Sequence, residues 1–196
     1  MIQANNVSKL RDLVIEAIAS PDYIHHSWYT EYHMFIVEKI ALEACELYPK
    51  ADHDKVLSLI WIHDYEKIID FAQKDNRVLA ATKQLLANAE YRPEVIDELV
   101  CMTNILNEKN DIANTQIEIQ IVSSADGASH VIGPFMDIYW YENPNMSISE
   151  IQAGNRKKIM KDWDLKITIP EIREAFESRR IHELEATGEL PEKYLG

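Results

Sequence analysis

The sequence predicts an all-α protein, with about eight helices in one compact domain. Apolar residues recur at helical spacing in almost every segment, which is the pattern of amphipathic helices around a core. Glycine and proline are scarce, with 5 and 7 residues, which argues against a fold with many tight β-turns. A chain of 196 residues is long enough to bury one core, so we expect a single domain over residues 1–196.

The first half of the chain contains three segments with a helical pattern. In residues 8–19 the apolar side chains share one face, and a long helix over 28–48 ends before Pro49, which cannot continue it. Asp52 is placed to cap the next helix, whose apolar face extends to His63.

The second half contains further helices over about 77–90, 93–106 and 170–186. Residues 116–122, QIEIQIV, also alternate between apolar and polar, as a half-buried β-strand does. A lone strand in a helical chain would have no strand to pair with, and two of the isoleucines are four residues apart. We therefore predict a helix in this segment.

The charge and composition indicate which partners to expect. The net charge of −13 repels a phosphate backbone, so we do not expect nucleic-acid binding. No segment has the apolar stretch of a signal peptide or of a membrane span, so we expect a cytoplasmic protein without a membrane partner. Cys45 and Cys101 lie in apolar helical patterns and are predicted to be reduced core residues. The sequence leaves open whether the chain forms a homo-oligomer.

Three predicted helices carry an ionisable residue on the face expected to contact the core, namely His33, His63 and Asp126. A single buried histidine is usually a hydrogen-bonded core residue. Three such residues, with Asp64 directly after His63, are explained most simply by a shared cation that satisfies them together.

The proposed ligand set indicates the kind of metal. Two imidazoles and two carboxylates suit Mn, Fe, Co, Ni or Zn rather than a thiolate-rich zinc site. Four protein ligands leave positions on a six-coordinate ion for water and substrate oxygens, which is typical of a catalytic centre.

The ordered set of His33, the pair His63–Asp64 and Asp126 resembles the HD-domain superfamily of metal-dependent phosphohydrolases. Its members carry one histidine, a His-Asp pair a few tens of residues later and a final aspartate, all on helices of an all-α fold. The segments YHMFIVEKIALEA, LIWIHDYEK and IVSSADGASH are similar to the three ligand helices. The resemblance covers about residues 25–165, on which the terminal helices are expected to pack.

The resemblance implies a function. One divalent ion (Mn, Fe, Co, Ni, Zn or Mg) would activate water to hydrolyse a small anionic substrate, a nucleotide or another phosphate ester. Asp64 would hold the attacking water as well as bind the ion. Lys67, one turn after His63, would contact the phosphate. Glu66 would donate a proton to the leaving group, with a solvated glutamate as the alternative.

The chain departs from the family pattern at two points. Many members have glycine where this chain has Glu66. Members with two metals use further histidines between the His-Asp pair and the final aspartate. No histidine lies between residues 64 and 126, which favours a single metal.

Several other residues have both a functional and a structural interpretation. The pair His53–Asp54 is expected at an exposed helix start rather than at a metal. The basic segment 154–166 is either a substrate contact or a solvated helix face. We expect either the edge of the pocket or the protein surface for His25, His26 and His130. His182 is expected in solvent. The aromatic residues that would stack on a base or lie in the core are Trp61, Tyr65, Trp140 and Trp163.

Two functions of other classes remain open. HD-like helical folds with diiron sites exist, and an oxygenase of this type would need extra ligands from His25, His26, Glu66 or His130. A sensor that binds a nucleotide without hydrolysing it is the second alternative, although the complete set of four ligands favours an enzyme.

Overall fold

The computed structural model describes residues 2, 4–25, 27–69, 77–188 and 193. Every regular element in these residues is helical, which confirms the predicted all-α class. Among them, nine α-helices have eight or more residues and one has five, close to the predicted eight. The α-helices are α1 (Ala4–Ile18), α2 (Phe35–Leu47), α3 (His53–Ile62), α4 (Tyr65–Ile69), α5 (Arg77–Asn88), α6 (Pro93–Glu108), α7 (Ile117–Ser129), α8 (Phe135–Glu142), α9 (Ile148–Leu165) and α10 (Pro170–Ala186).

The predicted long helix over 28–48 is regular only in its second part. A π-helical turn, Thr30–Met34, precedes α2 and contains His33. Such turns are rare and often lie at functional sites, because the extra residue changes the direction of the side chains. A 3₁₀ turn, Ile112–Asn114, lies between α6 and α7.

The cap predicted for α3 is present, since the Asp52 side chain accepts a hydrogen bond from the Lys55 amide at 3.1 Å. The helix ends at Ile62, so His63 and Asp64 lie in a short turn rather than inside a helix. The Asp64 carbonyl accepts hydrogen bonds from the first turn of α4. Asp64 therefore begins a new helix, and the pair is nevertheless buried.

Residues 117–122 are helical, as predicted, and belong to α7. This helix is buried on nearly every side and packs against α2, α3, α6, α9 and α10. An element surrounded by neighbours needs no single polar face, which explains why its sequence resembled a strand. The buried Ser124 side chain accepts hydrogen bonds from the amides of Thr168 and Ile169.

One main hydrophobic cluster includes buried residues from every α-helix except α8. The buried Met136 of α8 packs with Val131 and Ile159 in a smaller cluster. The helix α1 packs on α3, α4 and α5, and α10 packs on α7 and α9. Cys45 is free and buried, as predicted, whereas Cys101 is exposed because it lies on the outer face of α6. No described helix is both long and apolar enough to cross a membrane.

Candidate metal centre

Three parts of the fold bring the four predicted ligands together. His33 comes from the π-helical turn, His63 and Asp64 from the turn after α3, and Asp126 from α7. The two Nε2 atoms of His33 and His63 lie 3.4 Å apart. Each of them lies 3.7 to 3.9 Å from Oδ2 of Asp64 and from Oδ1 of Asp126. Both imidazoles therefore face both carboxylates. The buried sets whose ligand atoms lie close enough together to hold a metal are His33, His63 and Asp64, and His33, Asp126 and His130.

Hydrogen bonds on the far side of each ring fix the neutral tautomer. Nδ1 of His63 lies 2.6 Å from the Ile60 carbonyl, which can only accept, so Nδ1 carries the hydrogen. Nδ1 of His33 lies 3.1 Å from the Ser129 hydroxyl. That hydroxyl donates its single hydrogen to the Asp126 carbonyl at 2.7 Å, so it accepts from His33. Both Nε2 atoms thus present lone pairs to the same space.

Each aspartate has one oxygen on this space and one bonded to a lysine. Oδ1 of Asp64 accepts a hydrogen bond from Lys67, and Oδ2 accepts one from the Tyr29 hydroxyl. Oδ2 of Asp126 lies 2.5 Å from the Lys166 ammonium. The two lysines hold both carboxylates while one oxygen of each remains directed at the imidazoles.

The local electrostatics keep these groups in the states that a metal needs. Burial lowers the pKa of His33 well below its ordinary value, so the ring is neutral at pH 7. Burial opposes ionisation of Asp64 and Asp126, but nearby positive charges outweigh it and hold the pKa of each carboxyl well below its usual range. The strongest of these charges is Lys67 for Asp64 and Lys166 for Asp126. Burial and the charge of Asp64 raise the pKa of Tyr29, which therefore stays a hydrogen-bond donor.

The convergence fits a divalent ion in geometry and in chemistry. Ligand atoms at about 2.1 Å from a tetrahedral or octahedral ion lie about 3.0–3.4 Å from one another. The separation of the two imidazole nitrogens and the four imidazole–carboxylate separations, 3.4 to 3.9 Å, are only slightly wider. Four acceptor atoms facing one another repel unless a cation lies between them. These buried histidines and aspartates can therefore hold a metal ion.

A pocket of about 380 Å³ opens beside His63, Asp64 and Asp126. Its other lining residues are Glu66, Lys67, Asn104, Leu106, Asn107, Glu108, Lys109, Val122, Ser123 and Lys166. Lys109 forms no ion pair with a described carboxylate, and burial followed by the charges of Lys166 and Lys161 lowers its pKa to about 8. Three lysines thus line this pocket in a protein of net charge −13.

The predicted substrate residues Glu66 and Lys67 both line the pocket. Burial raises the pKa of the Glu66 carboxyl above its ordinary value. No aromatic side chain of the described residues lines it. Among the aromatic residues considered for base stacking, Trp61 and Trp163 are buried in the core instead.

The other predicted histidines lie in different surroundings. His25 contacts Glu142, with Nδ1 2.7 Å from its carboxylate, and His26 falls outside the described residues. His53 is exposed at the first residue of α3, and His182 is exposed on α10. His130 is buried beside Asp126, with Nε2 3.4 Å from Oδ1.

Sequence reasoning missed four residues of the centre: Tyr29, Lys109, Asp162 and Lys166. Tyr29 lies four residues before His33, so helical spacing could have found it. Asp162 and Lys166 both lie within the basic segment 154–166, for which a substrate contact was one interpretation, but nothing in that segment indicates which side chains turn inward. Lys109 follows α6 with a positive φ of 57°, and no pattern predicts its direction.

Comparisons with protein-family models, with curated proteins and with solved structures found no match for this chain.

Proposed function

We propose that this chain is a metal-dependent phosphohydrolase of the HD type, with one divalent ion held by His33, His63, Asp64 and Asp126. The observation that carries the proposal is the 3.4 Å approach of two imidazole Nε2 atoms, both with lone pairs facing inward, between two carboxylate oxygens. A cation is the partner that satisfies all four atoms. The order of the ligands along the chain is that of the HD superfamily.

The adjacent pocket supports an anionic substrate. Lys67, Lys109 and Lys166 line it together with Asn104 and Asn107, and these are donors that suit phosphate oxygens. Because the described lining contains no aromatic ring, recognition rests on the phosphate end of the substrate. A nucleotide fits this pocket with its base outside it, and a small phosphate ester fits equally.

The chemistry divides between the ion and the side chains. A divalent ion bound here would act as a Lewis acid and lower the pKa of a bound water. As the bond to the leaving group breaks, negative charge develops on the phosphoryl oxygens, and Lys67 and Lys166 would stabilise this charge. Glu66, which also lines the pocket, would give a proton to that leaving group.

The test is a substrate panel with metal-loaded protein. Nucleoside mono-, di- and triphosphates and simple phosphate esters are offered, and released phosphate and pyrophosphate are measured separately. We expect turnover of at least one class by the wild type and by His53→Ala, whose residue is exposed at a helix start. His63→Ala should be inactive. Nucleotide binding without any turnover by metal-loaded wild type would contradict the proposal and favour the sensor function.

A further inference from the structure

A third histidine lies at the edge of the four-residue centre. His130 directly follows α7, one turn after Asp126, and is 5% exposed. Its Nε2 atom lies 3.4 Å from Oδ1 of Asp126, which is the same oxygen that faces His33 and His63. Its ring is parallel to that of His33, with centroids 5.3 Å apart. The sequence did not indicate which side of this helix end the ring would occupy.

A carboxylate behind the ring fixes its tautomer. Nδ1 of His130 lies 2.7 Å from Oδ2 of Asp162. Lys158 lies 3.0 Å from the same oxygen, and Lys166 lies 3.5 Å from the other, so Asp162 is an ionised acceptor. In the neutral ring the hydrogen is therefore on Nδ1, and the Nε2 lone pair points towards Asp126. Two acceptors 3.4 Å apart repeat the arrangement found between His33 and His63.

The surroundings leave Nε2 of His130 facing the metal centre rather than water. Phe135, the first residue of α8, covers the ring with its centroid 4.4 Å away, and the same side chain lies 5.9 Å from the ring of His33. His130 is absent from the lining of the lysine-rich pocket. Seen from that pocket, His130 therefore lies behind the proposed ion. In this position it can bind the ion, but it cannot donate a proton to a substrate in the pocket.

We infer that His130 is a fifth protein ligand of the divalent ion and that Asp162 is its positioning residue. This inference rests on the proposed metal centre but not on the reaction. A metal-binding histidine usually donates its other N–H to a carboxylate, which orients the ring and makes it a better ligand. With three imidazoles and two carboxylates, the site favours Mn, Fe, Co, Ni or Zn over Mg. It also leaves one position of a six-coordinate ion for water or substrate.

The test on the wild-type protein is nuclear magnetic resonance with nitrogen-15 histidine and cadmium-113 in the site. Scalar coupling to cadmium should appear for three imidazole nitrogens, those of His33, His63 and His130. Coupling for His33 and His63 alone would overturn the inference and leave the metal centre intact. Coupling for none of them would overturn both. Because this measurement needs no substitution, it does not depend on whether a variant folds.

Cobalt affinity and absorption spectra of variants supply the second measurement. Asp162→Asn should weaken Co(II) binding by about 10–100-fold with the three-histidine spectrum retained, and His130→Gln should weaken it further and change the spectrum. His182→Gln, on the exposed surface of α10, is the matched control and should behave as wild type. If folded His130→Gln protein has the Co(II) affinity and spectrum of the wild type, His130 only contacts Asp126 and does not bind the ion, and the inference is overturned.

Discussion

Gly127 and Lys166 approach so closely that a side chain on the glycine would have almost no room. A Cβ atom at residue 127 would lie 3.1 Å from Cβ of Lys166 and 2.9 Å from Cγ1 of Ile167. This contact brings the end of α9 against α7, directly beside Asp126. The absence of a side chain at one position thus allows Lys166 to reach the candidate metal centre.

Gly127→Ala is therefore expected to lower stability although alanine favours helices. The shift forced on residues 166 and 167 should cost about 1–3 kcal/mol in the free energy of unfolding, measured by denaturant titration. Gly154→Ala is the matched control, because its Cβ would meet nothing closer than 3.9 Å and helical alanine is favoured over glycine. A Gly127→Ala protein as stable as Gly154→Ala would show that the close contact is not important.

Removal of the metal should lower thermal stability, because the ion offsets two carboxylates that are largely buried. A metal at about 100 times its Kd contributes about 2.7 kcal/mol, which corresponds to a fall in Tm of about 5–10 °C for a chain of this size. The measurement is Tm before and after chelation, with metal content determined in each sample. His53→Ala should show the same fall in Tm as the wild type. An unchanged Tm after complete removal of the metal would show that metal binding does not stabilise the fold.

The role of Glu66 is tested by Glu66→Gln. If Glu66 donates a proton to the leaving group, the variant should keep its metal and lose about 10²–10⁴-fold in kcat. The loss should be smaller for a nitrophenyl ester, whose leaving group needs no proton. Glu108→Gln is the control, since Glu108 lines the same pocket without a proposed role. Wild-type kcat on the best natural substrate would show that Glu66 is only a solvated carboxylate.

The depressed pKa of Lys109, about 8, predicts how anion binding depends on pH. Burial is the main cause of the lowered pKa, and the positive charges of Lys166, Lys161 and Lys67 lower it further. Lys109 therefore loses its charge as the pH rises through about 8. Sulfate, whose charge is constant in this range, should therefore bind more weakly above pH 8 than below. Calorimetry should find this change in wild type and a flatter profile in Lys109→Gln. Parallel profiles would exclude Lys109 from the anion site.

Much of the architecture was predictable, because helical periodicity, the cap at Asp52 and the proline in the first turn of α6 are local signals. The segment 116–122 was ambiguous because α7 is enclosed on nearly all sides. The π-helical turn around His33 and the turn at His63 could not be predicted, since both depend on tertiary contacts. His33 and His63 are nevertheless buried, as their predicted positions on core-facing helix faces required.

The candidate site was also predictable only in part. The four proposed ligands stand out because ionisable residues interrupt apolar faces. Their supporting groups do not, since Ser129, Asp162 and Lys166 have ordinary sequence surroundings. Ser129 lies on α7 with Asp126, and only the packing of α9 on α7 brings Asp162 and Lys166 to the centre.

The central claim is that four side chains bind a divalent ion, and elemental analysis of purified protein with two matched variants tests it most directly. The claim predicts about one divalent ion per chain in wild type and in His53→Ala, whose histidine is exposed at the start of α3. It predicts loss of the ion in His33→Ala, whose Nε2 lies 3.4 Å from that of His63. Full occupancy in folded His33→Ala, or equal loss in both variants, would contradict it.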